Sequence, residues 1–211
     1  MNTLFWGPPA WKFLFSVANK YKVKNKESYH KFYNSLKHVL PCIYCRDSYA
    51  KFITELPIKN FLSSRKKLMY WLYLIHNKVN DKLRTQGYHS CKNPTFESIY
   101  KKYSKIKFLE KDSWIFLYCV AFNYVSDKKR HYKIFFENLK YHFPDGHYRR
   151  KYSSYLDNNP INLKDMEKLV KWCVNLCNTI GNVKTCNYYK LCKKFEKQRA
   201  GCSKTKGICR N

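Results

Sequence analysis

An all-helical fold is what this sequence predicts, on three observations. Apolar residues recur at spacings of three and four, no stretch alternates with period two between Gly-rich turns, and prolines fall between the periodic segments. Pro8 and Pro9 suit the first turn of a helix whose stripe includes Trp11, Phe15 and Ala18, ending before the Lys-rich stretch at 20–26. A second amphipathic segment, about Glu27 to Val39, stops at Pro41. Directly after it, Cys42-Ile43-Tyr44-Cys45 opens a third helix that runs toward Leu56 and breaks at Pro57. The fourth helix is long, from about Lys59 to Arg84, with Leu68, Leu72, Ile75, Val79 and Leu83 stepping by four or three; a short fifth spans Thr95 to about Tyr103. The pattern loosens around Lys105 to Asp112, which is the expected boundary between residues 1–108 and residues 109–211. Beyond it the spacing predicts an apolar helix (Ser113 to Val125), a mixed one (Lys129 to His142), a Pro/Gly/Asn-containing loop (Pro144 to Pro160), helices near Leu163 to Ile180 and Thr185 to Arg199, and a mobile basic tail from Cys202. No internal repeat is evident.

The chain has 211 residues, 45% of them hydrophobic, enough for a real core, which excludes collagen-like and disordered classes. The formal net charge of +28 is spread over both halves, +15 in residues 1–110 and +13 in 111–211. It would attract an acidic partner, yet Lys outnumbers Arg 34 to 8 and no nucleic-acid-binding motif accompanies runs such as Arg65-Lys66-Lys67 or Arg149-Arg150-Lys151. A basic helical nucleic-acid-binding or scaffold module is the alternative reading, and the colour of the purified protein separates it from a redox one. The longest apolar run, Trp114 to Phe122, is far short of a membrane span, and the opening residues have no secretory-signal pattern. Ten cysteines in such a chain point to metal sites or redox chemistry.

A CxxC at a helix start suits thiol chemistry, because the unpaired N–H groups and the helix dipole stabilise a thiolate. Cys42 and Cys45 alone leave thiol redox, half a zinc site and coincidence open; His89 and Cys91 are a poor second ligand pair, and no metal site is expected. On the fourth helix, His76, Asn77 and Asn80 lie beside the buried stripe. Polar atoms placed there need partners, since each one buried unpaired costs about 1–3 kcal/mol. A flat polar ligand would supply them, as water would for half-exposed residues.

Trp6-Gly7-x-x-x-Trp11, then Pro41-Cys42-x-x-Cys45, then His76-Asn77-x-Val79-Asn80-x-x-Leu83, in this order and at compatible separations, resembles the signature of the FAD-linked sulfhydryl oxidases of the Erv/ALR type. The likeness covers about residues 4–103. It implies an FAD-binding four-helix bundle completed by a short fifth helix, with Cys45 facing the flavin and Cys42 exchanging with the incoming dithiol. It further implies cofactor contacts at Trp6, Gly7, Trp11, Phe15, His76, Asn77, Val79 and Asn80, with Lys82 and Arg84 toward the phosphates. Protein thiols and O2 would be the substrates and H2O2 a product. Family members are commonly dimers, so a homodimer is an expectation. Phe15 stands where the family usually has His, and Cys91 lacks a following cysteine at the usual distance. Compact members with this opening resemble those of large DNA viruses, which implies a virion or host-cytoplasm location.

The likeness leaves out a cysteine-rich second half, expected to be a helical domain of unknown role. If residues 163–180 and 185–199 form a helical hairpin, Cys177 pairs with Cys186 near the turn and Cys173 with Cys192 one turn away. Zinc and simple buried thiols are the other uses of these sulfurs. Cys202 and Cys209, between glycines and basic residues, are candidate shuttle cysteines or a small structural loop. Cys119 is expected in the core.

Overall fold

The computed structural model describes residues 1–88, 92–105, 110–182 and 186–204, with side chains to Gln198. The described residues hold ten α-helices and no strand: α1 Thr3–Asn19, α2 Lys26–Val39, α3 Ile43–Glu55, α4 Arg65–Thr85, α5 Phe96–Ser104, α6 Glu110–Phe122, α7 Lys129–His142, α8 Gly146–Asn158, α9 Met166–Ile180 and α10 Tyr188–Lys204. Single 3-10 turns occupy Val23–Asn25, Ile58–Phe61 and Ser126–Lys128. No helix among the described residues is long and apolar enough to cross a membrane.

Local chemistry sets the helix starts. The side chains of Asn2, Cys42, Ser64, Thr95, Asp145 and Asp165 each accept a hydrogen bond from a backbone N–H in the first turn that follows. Pro8 and Pro9 lie inside α1 rather than at its first turn, because the Asn2 cap starts the helix five residues earlier. Residues 144–160, expected as a loop, instead contain α8. Asp145 accepts from the N–H groups of His147 and Tyr148, and Tyr148, Tyr152 and Tyr155 form a buried stripe at helical spacing. α10 carries helix through residue 204, past the expected start of the tail. The expected boundary at 105–112 lies partly outside the described residues.

α1 and α4, α2 and α3, and α3 and α4 pack together in the first half, with α5 against α1 and α4; α6 and α9, α7 and α8, α8 and α9, and α9 and α10 pack in the second. The halves meet along α1·α6 and α2·α7, and one continuous set of buried side chains runs through both. Trp71 anchors the first half: its Nε1–H donates to the Leu56 carbonyl at 2.8 Å, and its ring meets Tyr33 edge-on at 5.2 Å.

The second half repeats this frame, although the sequence shows no evident repeat. α2 and α7 are both 14 residues, α3 and α8 both 13, and their first residues are 103 positions apart. Tyr49 Oη donates to the Tyr33 carbonyl at 3.0 Å; 103 residues later Tyr152 Oη donates to the Phe136 carbonyl at 2.8 Å. Trp172 Nε1–H donates to the Asn159 carbonyl at 2.9 Å and meets Phe136 edge-on at 5.6 Å, as Trp71 does with Leu56 and Tyr33. Tyr21 and Tyr124, which donate to the Leu62 and Leu163 carbonyls, match as well, with two residues fewer before α9 than before α4.

Candidate redox site

The CxxC opens α3. Cys42 has extended backbone and is the N-cap; its sulfur accepts from the Cys45 N–H at 3.3 Å, and its carbonyl accepts from the Arg46 N–H at 3.0 Å. The family resemblance implies that Cys42 exchanges with the incoming dithiol, yet Cys42 is 3% exposed and Cys45 is half-buried. Ile43 and Tyr44, between them, are exposed. Arg46 donates to the Leu40 carbonyl at 2.9 Å, which holds a guanidinium beside this turn.

Cys45 and Ser48 lie three residues apart on one face of α3. Lys82 of α4 donates to the Ser48 hydroxyl, and Lys78 donates to Glu55 at 2.7 Å, so this face is tied to the second half of α4. α4 changes character along its length. Leu68, Met69, Trp71, Leu72 and Ile75 are buried, whereas none of residues 76–84 is.

The structure brings four of the expected residues into one cluster. The Trp11 ring meets His76 edge-on at 4.6 Å, Phe15 lies 6.2 Å from His76 and 6.3 Å from Trp11, and His76 Nδ1 is 3.3 Å from Asn80 Nδ2. Phe15, where the family usually has His, is 1% exposed and stacks on Tyr103 of α5 at 4.4 Å. Asn80 also donates to Asn93 Oδ1 at 3.0 Å, and Arg84 donates to the same oxygen at 3.2 Å and to Asp81. Asn93, Tyr103 and Ser48 are additions that the sequence reading missed. Each acts through a contact distant in sequence and belongs to no motif.

Trp6 falls apart from this cluster; it stacks on Phe116 of α6 at 6.5 Å. Gly7, one position on, has open space where a Cβ would project, with no atom within 4 Å. Val79 is half-buried on α4. Asn77 Oδ1 is buried with no hydrogen-bond partner, so it is an acceptor the protein itself does not use. An orphan amide oxygen, an open glycine edge and a Trp/His/Asn cluster partly on a helix tied to the CxxC helix fit a flat, polar, electron-accepting cofactor.

Elsewhere, the sulfurs of Cys177 and Cys186 lie 2.8 Å apart near the turn, in contact but not bonded, and Cys173 and Cys192 are likewise without a disulfide, so neither expected bridge is formed. Cys173 is fully buried and close to Tyr152 and Tyr155, while Cys192 is beside Tyr188. Cys119 is fully buried, and burial pushes its thiol well above the usual range. The candidate shuttle cysteines fall outside the description, Cys209 entirely and Cys202 in its side chain, and so do His89 and Cys91. No group of three or more His, Cys, Asp or Glu residues among the described residues could hold a metal ion.

Comparison with known proteins agrees with the motif reading. The Erv1 / Alr family model matches residues 8–102. A probable FAD-linked sulfhydryl oxidase of Acanthamoeba polyphaga mimivirus is 40% identical over 80 residues, 36% of this chain and 56% of that protein. The mitochondrial FAD-linked sulfhydryl oxidase of Saccharomyces cerevisiae is 35% identical over 82 residues, 37% of this chain and 42% of that one. The chain thus spans about half the length of these curated relatives. No solved structure matches it.

Proposed function

We propose that residues 8–102, a domain of the Erv1 / Alr family, form the catalytic unit of an FAD-dependent thiol oxidase. It converts two protein thiols and O2 into a disulfide and H2O2, so the two protons and two electrons lost by the dithiol end on oxygen. The observation that carries this reading is the pairing of a CxxC at the α3 N-terminus with the Trp11–His76–Asn80 cluster built by α1 and α4, of which α4 packs against α3.

Cys42 takes the exchange step: in the oxidised enzyme, where Cys42 and Cys45 are joined as a disulfide, an incoming thiolate attacks the Cys42 sulfur, breaks that bond, forms a mixed disulfide and releases Cys45 as a thiolate. A second substrate thiolate then attacks the mixed disulfide and frees Cys42. Because Cys42 is buried, the turn that covers it must give way for substrate to reach it. FAD, when bound, would supply the two-electron acceptor for the reduced cysteine pair, with O2 as the final oxidant. Trp11 and Phe15 would pack against it and exclude water, with Val79 lining the same face. His76, Asn77 and Asn80 would orient it by hydrogen bonds, Gly7 would leave it room, and Lys82 and Arg84 would meet its phosphates.

The purified protein should show the visible absorption of oxidised flavin, and it should consume O2 and release H2O2 with a reduced protein substrate. Cys45→Ser should keep the colour and lose turnover. A colourless protein, or full turnover in Cys45→Ser, would overturn the reading. A viral origin, which the mimivirus relative supports, fits a virion or host-cytoplasm location.

A further inference from the structure

We propose that residues 110–204 are a second copy of the fold of residues 3–104, stripped of its redox chemistry and docked where a partner subunit would sit, so that one chain works alone and binds a single flavin. The part that concerns flavin rests on the function proposed above. The repeated hydrogen bonds of Tyr49 and Tyr152, and of Trp71 and Trp172, fix which residues correspond. The offset is 103 through α8 and 101 in α9.

The two copies face each other about a pseudo-twofold axis. On α1·α6, Phe13 meets Phe116, its own counterpart, at 5.6 Å. On α2·α7, Phe32 stacks on Phe135, again its own counterpart, at 5.4 Å. Residues that touch their own equivalents are the mark of an isologous interface, ordinarily made by two identical subunits. Here a single chain makes it, and all four rings are buried. The α1/α2 face is therefore already covered, and the homodimer that the family resemblance implies is supplied from within.

The site positions diverge in a consistent direction. Cys42 and Cys45 correspond to Asp145 and Tyr148; Asp145 keeps the N-cap and drops the sulfur. Trp11 corresponds to Trp114, but Gly7 becomes Glu110 and Asn80 becomes Gly181. Where Gly7 leaves open space, the Glu110 carboxylate accepts from Trp114 Nε1–H at 3.2 Å and from the Asn182 N–H at 2.6 Å. A Cβ at Gly181 would lie 2.5 Å from the Cys177 carbonyl and 3.0 Å from Glu110. His76 becomes Cys177, whose sulfur touches Cys186. Beside Trp114 the cavity, lined in part by Tyr118 and Cys186, is about 120 Å³, far too small for a dinucleotide.

The test uses the full-length protein. Light scattering should give a particle of one 25.6 kDa chain over a wide concentration range, and the flavin-to-polypeptide ratio should be one. Trp11→Phe should lower flavin occupancy while Trp114→Phe keeps it. A two-chain particle, two flavins per chain, or flavin lost from Trp114→Phe but kept by Trp11→Phe would overturn the proposal. A colourless protein would overturn the oxidase reading instead, and the particle mass would still decide whether the second half replaces a subunit.

Discussion

The two halves of this chain share a skeleton and differ in chemistry. Tyr29, Leu36, Pro41, Tyr49 and Pro57 recur as Tyr132, Leu139, Pro144, Tyr152 and Pro160, and they end or bury the same helices. Cys42, Cys45, His76 and Asn80 do not recur. The frame is thus specified by buried aromatics, prolines and caps, whereas the reaction depends on a few side chains that can be lost with the frame intact.

The widest expected contrast is catalytic. Cys42→Ser should lower thiol-oxidase turnover by at least about 100-fold, because the serine hydroxyl cannot exchange with a disulfide. Asp145→Ser, at the matching cap, should change turnover less than twofold; oxygen consumption on both variants decides. In the frame the two halves should respond alike. Trp71→Ala and Trp172→Ala each remove a buried indole and its hydrogen bond and should cost about 3–5 kcal/mol in urea unfolding, in one transition because the core is continuous. Two separate transitions would break that comparison.

A smaller effect lies at the seam. His142 of α7 is fully buried against Tyr29 and Phe32 of α2, near the Ser28 carbonyl and Arg149 of α8. Burial, with a lesser push from Arg149, holds it down at about 4 from 6.5. The unfolded chain therefore takes up a proton that the folded one refuses. Stability should be full above pH 6.5 and fall by roughly 3 kcal/mol as pH drops through 4. His38, stacked on His131 at 3.5 Å with Arg46, Lys37 and Lys128 nearby, is held down in the same direction. His142→Val, which copies Val39 of the first half, should flatten much of the pH dependence measured by urea unfolding between 4 and 6.5. The smallest effect is at the caps: Asp145→Ala should cost about 1 kcal/mol, with loss of melting temperature as the readout.

Much of the first half was legible in the sequence, because Cys42, Cys45, His76, Asn77 and Asn80 form spaced motifs and Pro41 and Pro57 mark helix ends. Asn93 and Tyr103 were not, since their partners Asn80 and Phe15 are distant in sequence. The second half was harder for a different reason. Tyr132, Phe135 and Leu139 repeat Tyr29, Phe32 and Leu36 at spacings any amphipathic helix would show, and the two-residue shortening before α9 breaks a constant period. Helix α8 was hidden because Gly146 and Asn158 to Pro160 suggest a turn-rich segment, while the tyrosines that bury it are also common on surfaces.

The seam along α1·α6 and α2·α7 has a consequence for how the protein behaves when scarce. Only five residues separate Ser104 from Glu110, so the two faces meet at an effective concentration of the order of millimolar, set by the tether rather than by abundance. Dilution dissociates a noncovalent pair of subunits. It leaves this pairing untouched, so the first molecules made in a cell would be as fully assembled as the last.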